Sequence, residues 1–180
     1  SLSKDLCDEI INKFQIEKLH NNAYKGVTSS GLNINIKNTK DFQIEMQDEW
    51  KDIRKCLEFE LLYNLKKYTK QVNKSYSYIS YNVVPQEMFF STFQLQEYLK
   101  DEGIFIYHQD GSYEENHSYR VLTYIWYLND VEEGGSTCLN RIDVDVKADK
   151  GKLLVFEKNL QTVHHKLLIK LGLYLKLQFD

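Results

Sequence analysis

His108-Gln109-Asp110 and, more than fifty residues later, His164 are the residues whose types and spacing suit metal chemistry. An imidazole and a carboxylate two residues apart on an extended segment project to the same side of it. A second imidazole from a distant strand then completes one face of an octahedron around a single ion. Such a 2-His-1-carboxylate face leaves adjacent positions open, which suits ferrous iron taking a chelating cosubstrate and O2. An isolated H-x-D is equally at home on a solvated turn, so the elements around it decide its meaning. His164 and His165 are neighbours and face opposite sides of a strand, so only one of them can serve.

Those elements fall into two stretches. Residues 4 to 15 predict a helix, with Leu6, Ile10, Ile11 and Phe14 as its apolar stripe and Ser3 as N-cap. Gly31 to Ile36 alternates apolar and polar, which predicts a half-buried strand. From Asp48 to Tyr68 the helical period returns through Ile53, Leu57, Leu61 and Leu65, the face that packs on a sheet. After Lys74 short β-branched and aromatic runs dominate: Phe89 to Tyr98, Ile104 to Tyr107, Tyr119 to Leu128, Lys152 to Phe156 and Leu167 to Phe179. Gly103, Asp110-Gly111, Gly134-Gly135, Asp149-Lys150-Gly151 and Gly172 punctuate them. Helices followed by many strands, without βα alternation, predict an α+β, mainly β fold: a sandwich or barrel backed by two helices. In the run Tyr124 to Asn129, Tyr124, Trp126 and Leu128 form one face and Ile125, Tyr127 and Asn129 the other, one of them directed into the barrel.

The 180 residues fit one domain, 1–180, with 1–74 as helical support and 75–180 as the β core. Neither the single proline, Pro85, nor any low-complexity tract marks a linker. A 42% hydrophobic and 13% aromatic content excludes a disordered chain. Net charge −3 gives no nucleic-acid signal, and Lys66-Lys67 reads as solvated helix face. Cys7, Cys56 and Cys138 form neither a C-x-x-C pair nor a disulfide framework, which favours a cytoplasmic or other reducing compartment. No run approaches a membrane span and no signal peptide opens the chain, although Ser1-Leu2-Ser3 without Met leaves an upstream segment open. Oligomeric state is not legible.

From residue 93 onward the chain resembles the prolyl 4-hydroxylase-like branch of the 2-oxoglutarate and Fe(II)-dependent oxygenases. The resemblance is carried by His108 to Tyr113, Arg120 to Asn129, Glu133 to Thr137, Val146 to Phe156, and His164 with Gly172 eight residues on. It implies a double-stranded β-helix (jelly-roll) core with supporting N-terminal helices. It also implies Fe(II), 2-oxoglutarate and O2, with ascorbate rescuing oxidised iron. By the same resemblance His108, Asp110 and His164 are the iron ligands, His164 chosen over His165 by its distance to Gly172. His117 and His20 match no part of the pattern and read as surface residues.

In the family a Lys or Arg ten residues after the distal histidine pairs with the C5 carboxylate of 2-oxoglutarate. A buried carboxylate left unpaired costs several kcal/mol, so the position matters. Here it is Tyr174, a departure from the pattern. Lys176 shares a face with Tyr174 on a regular strand and can replace the missing cation, or it faces solvent. Tyr127 matches a family tyrosine that also binds the C5 carboxylate, and Tyr98 one near the metal end. Arg120 and Lys147 flank core strands and read equally as substrate contacts or exposed edge charges, while Thr137 reads as structural. Gly111 to Tyr119 is a candidate substrate-facing lid or an ordinary loop.

The expected activity is hydroxylation of a C–H bond, first of a peptidyl proline in a peptide or protein substrate, coupled to decarboxylation of 2-oxoglutarate to succinate. Tyr174 keeps two other readings open: a catalytically silent metal-binding module, and an oxygenase acting on a non-prolyl substrate. A cupin-like zinc hydrolase is a further class, though it favours a richer histidine set.

Overall fold

The computed structural model describes residues 1–44, 48–75, 90–108, 122–157, 162–164 and 172–179. Among the described residues two α-helices and eleven strands follow one another in the helix-first order that the sequence predicts. Helix α1 (Lys4–Leu19) starts where the Ser3 hydroxyl accepts from the Leu6 amide at 3.2 Å. It buries Cys7, Ile10 and Phe14 and ends at the exposed His20. Helix α2 (Lys51–Ser75) follows a single 3-10 turn and buries Ile53, Leu57, Leu61 and Leu65, as the four-residue spacing requires. Lys66 and Lys67 lie on its exposed side.

Between the helices lie three short strands, β1 (Tyr24–Lys25), β2 (Lys37–Asn38) and β3 (Lys40–Gln43). The strand expected over Gly31 to Ile36 does not form: 34–36 is a turn, with Leu32 and Ile34 more than half exposed. The Asn33 side chain accepts from the Asn35 amide at 3.0 Å, and the Asn33 carbonyl accepts from Ile36 and Lys37. A side chain that captures its own backbone in this way competes with sheet pairing, and it won over the alternation. The N-terminal support region therefore supplies strands as well as helices.

The later strands are β4 (Phe90–Tyr98), β5 (Ile104–His108), β6 (Leu122–Tyr127), β7 (Thr137–Leu139), β8 (Val144–Val146), β9 (Leu153–Glu157), β10 (Thr162–His164) and β11 (Gly172–Phe179). They form two sheets with antiparallel pairing throughout: β1-β3-β4-β11-β6-β9 and β2-β5-β10-β7-β8. The result is a mainly β fold with few helices, consistent with a jelly roll. Gly134 and Gly135, at φ 69° and 64°, make the left-handed turn before β7 that the double glycine predicts.

Residue alternation splits the six-stranded sheet between two cores. Phe93, Leu95, Tyr124, Trp126, Leu153 and Val155 pack with the helices. Tyr98, Ile125, Tyr127, Leu154 and Phe156 pack instead with Phe105 and Leu139 of the other sheet. The odd residues of β6 thus face the space between the sheets, which is where a ligand would sit.

Candidate active site

Strand β5 carries His108, and its neighbour β10 carries His164. Thr162 pairs with His108, and His164 pairs with Phe105. Three residue steps on β5 therefore oppose two on β10, a β-bulge with one extra residue in β5. On a regular strand Phe105 and His108 would point to opposite faces. The bulge restores them to one side, and their rings stack 3.6 Å apart at 10°. The backbone positions of 108 and 164 are diagonal neighbours on adjacent strands, a separation of roughly 7–8 Å that facing ligands can span.

The half-buried His108 ring is oriented a second time by a hydrogen bond. Its Nδ1 lies 2.8 Å from the carbonyl of Ile106, which can only accept. Nδ1 therefore carries the proton, and in the neutral ring the lone pair belongs to Nε2. This is the tautomer of a metal-binding histidine, with the other ring N–H held by a carbonyl. On this test His108 is suited to ligate a metal. Among the described residues no group of three or more His, Cys, Asp or Glu side chains is ready for an ion, and Asp110 lies outside them. His117, Arg120, His165 and the Gly111 to Tyr119 stretch also lie outside the described residues.

The space between the sheets is lined by polar groups at every second residue. On β4, the buried Tyr98 hydroxyl donates to Gln96 Oε1 at 3.2 Å. Gln96 Nε2 donates to Gln94 Oε1 at 2.9 Å, and Gln94 Nε2 reaches the Tyr24 hydroxyl at 3.4 Å. On β6, the fully buried Tyr127 hydroxyl donates to Thr137 Oγ1 at 2.7 Å. Burial pushes the Tyr127 pKa well above the ordinary tyrosine range, so it remains a protonated donor. Thr137, expected as structural, is the acceptor that holds it. Thr123 Oγ1 is buried, with no hydrogen-bond partner among the described residues. A buried hydroxyl of this kind is costly unless something polar meets it, which fits a polar ligand in the same space.

Strand β11 runs between these two rows. Tyr174 pairs with Gln96 on one side and Tyr127 on the other, and Lys176 pairs with Gln94 and Ile125. Gln94, Gln96 and Thr123 went unnoticed in the sequence, although the alternation Gln94, Gln96, Tyr98 against Phe93, Leu95 marks them as a polar face. Lys147 is exposed, in keeping with an edge charge.

Residues 93–171 match the family model of the 2OG-Fe(II) oxygenase superfamily. That match spans less than half of the chain. That superfamily's metal and cosubstrates are Fe(II), 2-oxoglutarate and O2. The fold is similar to that of a prolyl-4-hydroxylase from Pseudomonas putida, with TM-score 0.69, 16% identity and coverage of 99% of this chain and 88% of that one. It is also similar to a Trichoplax adhaerens prolyl hydroxylase in complex with a hypoxia inducible factor oxygen degradation domain peptide fragment. That match has TM-score 0.67, 16% identity and coverage of 97% and 78%. A third likeness is to the viral collagen prolyl hydroxylase of Paramecium Bursaria Chlorella virus-1 in its 2OG complex, with TM-score 0.62, 18% identity and coverage of 99% and 91%. No curated protein matches the chain. No described helix is long and apolar enough to cross a membrane.

Proposed function

We propose that this chain is a 2OG-Fe(II) oxygenase that hydroxylates a peptidyl proline, within one double-stranded β-helix domain spanning residues 1–180, and that His108, Asp110 and His164 hold its iron. The observation that carries the reading is the bulged β5–β10 register, which sets positions 108 and 164 one diagonal apart while the Ile106 carbonyl takes up His108 Nδ1. When bound, ferrous iron with 2-oxoglutarate supplies O2-dependent decarboxylation to succinate and transfer of one oxygen atom to the substrate carbon.

The chain's own residues bind and orient. Tyr127 and Lys176 receive the C5 carboxylate of 2-oxoglutarate, with Tyr174 beside them and Tyr98 toward the metal end. Support comes from the β11 register between the rows of β4 and β6, and from the unmatched Thr123 hydroxyl. The Thr137 hydroxyl turns to donate to Tyr127, whose own proton is then directed at the carboxylate. The apolar side chains of Phe105, Ile125 and Phe156 keep water from this space. A proline substrate is supported by the fold likeness to three prolyl hydroxylases.

The test is incubation with Fe(II), 2-oxoglutarate, ascorbate and proline-rich peptides, in air and under argon. O2-dependent succinate together with a peptide gaining one oxygen atom is expected. Succinate formed only with other C–H donors would refute the prolyl assignment. Tyr174 in place of a basic residue favours a second reading, a silent metal-binding module. That reading holds if no candidate substrate yields succinate although iron binds tightly.

A further inference from the structure

We infer that Phe105, backed by a buried Lys37–Asp41 ion pair from the N-terminal region, is a positioning residue that holds the His108 imidazole in its metal-binding orientation. The inference rests on the iron-site reading above and extends it to residues outside the matched segment 93–171. The Phe105 ring lies parallel to the imidazole at 3.6 Å, a contact that only the β5 bulge permits. Lys37 sits opposite Phe105 in the β2–β5 register, and its ammonium is 5.2 Å from the Phe105 ring centroid. A cation at that range is attracted to the π face.

That ammonium is itself fixed. Lys37 Nζ meets Asp41 Oδ2 at 2.6 Å, with side chains only 5% and 1% exposed. Thr39 donates to the other Asp41 oxygen at 2.7 Å. Gly26 closes over the group: a Cβ there would lie 2.0 Å from Thr39 Oγ1 and 2.8 Å from Lys37 Cε. Two charges buried this far from water are costly unless well paired, so the pair is a fixed point rather than a mobile surface contact. The chain of contact runs from Asp41 through Lys37 and Phe105 to His108. Ring plane and Nδ1 bond together then fix where Nε2 points. Groups that orient a metal ligand typically carry ten- to hundredfold in metal affinity.

The test uses Mn(II) as the probe, its binding followed by loss of the free-ion EPR signal in the full chain. Phe105→Leu keeps an apolar side chain and removes the plane. It is expected to weaken Mn(II) binding about tenfold and to alter the visible spectrum of the Co(II) form. Phe105→Tyr restores the plane and is expected to bind within about twofold of the parent. The double change Lys37→Met/Asp41→Leu leaves both rings in place and replaces the pair by apolar groups, a swap often neutral for stability; several-fold weaker binding is expected. Parental affinity and Co(II) spectrum in Phe105→Leu overturn the inference. If that variant does not fold, parental affinity in the double variant overturns it instead. A parent chain that takes up no Mn(II) would sink the iron-site reading and this inference together, whereas a parent that binds and variants that bind equally sink only this one.

Discussion

Tyr127 and Thr137 allow stability and cosubstrate binding to be separated with two substitutions at one hydrogen bond. The bond is 2.7 Å long and both residues are fully buried. Tyr127→Phe and Thr137→Val each delete it while keeping the ring or the branched side chain. A neutral buried hydrogen bond and the partner left behind amount to about 1.5 kcal/mol, so each variant should melt about 3–6 °C lower. On the proposed assignment only Tyr127→Phe removes the donor that meets the C5 carboxylate. A hydrogen bond to a charged group contributes roughly 1.5–3 kcal/mol, which converts to roughly ten- to hundredfold weaker 2-oxoglutarate binding. Thr137→Val keeps the donor and should change that affinity by no more than about threefold. Isothermal titration of 2-oxoglutarate into the Mn(II) forms, beside thermal melts, supplies both numbers. Equal affinity in parent and Tyr127→Phe would refute the assignment of Tyr127 to the cosubstrate, whatever the melts show. Because burial keeps Tyr127 protonated, the difference between the variants should hold steady from neutral to mildly alkaline pH.

Mn(II) at a hundred times its Kd should add about 2.7 kcal/mol to unfolding, seen as a higher denaturant midpoint, and His108→Ala should abolish that gain. Burial raises the Cys7 and Cys138 thiols from 9.0 to about 11. The folded state therefore holds those protons more tightly than the unfolded chain. The urea midpoint should be unaffected by the thiols below pH 9 and fall as pH rises toward 11, and Cys7→Ala/Cys138→Ala should flatten that fall. With a thiol reagent at neutral pH the exposed Cys56 should label fast and the two buried thiols only on unfolding. Gly151 adopts φ +81°, and a Cβ there would stand 2.5 Å from the Leu2 carbonyl oxygen. Gly151→Ala should therefore cost roughly 1–3 kcal/mol in chemical denaturation, and a variant as stable as the parent would contradict that geometry.

Both helices were legible because a four-residue apolar stripe over several turns has one explanation. The long strands β4, β6 and β11 were legible because β-branched and aromatic runs between glycines have few others. Strands β1, β2, β3, β7, β8 and β10 are two to four residues long, too short to show a period, and tertiary pairing alone defines them. Asn33 shows the opposite failure: a convincing alternation lost to a side chain bonding its own backbone. At the site, His108 and His164 were selected by pattern, and the register brings their backbones onto adjacent strands. The Lys37–Asp41 pair was invisible because it lies far from the motif and matters only through a ring that a bulge turns toward His108.

Strand β6 has a practical consequence for anyone mapping this protein by mutation. Its even residues anchor the helical layer and its odd residues face the space between the sheets, so neighbours in sequence serve different masters. A saturation library over 122–127 scored for both soluble yield and turnover should produce two interleaved profiles. Conservative swaps at 124 and 126 should deplete the protein without altering turnover per folded molecule. Those at 123 and 127 should leave soluble enzyme with impaired turnover.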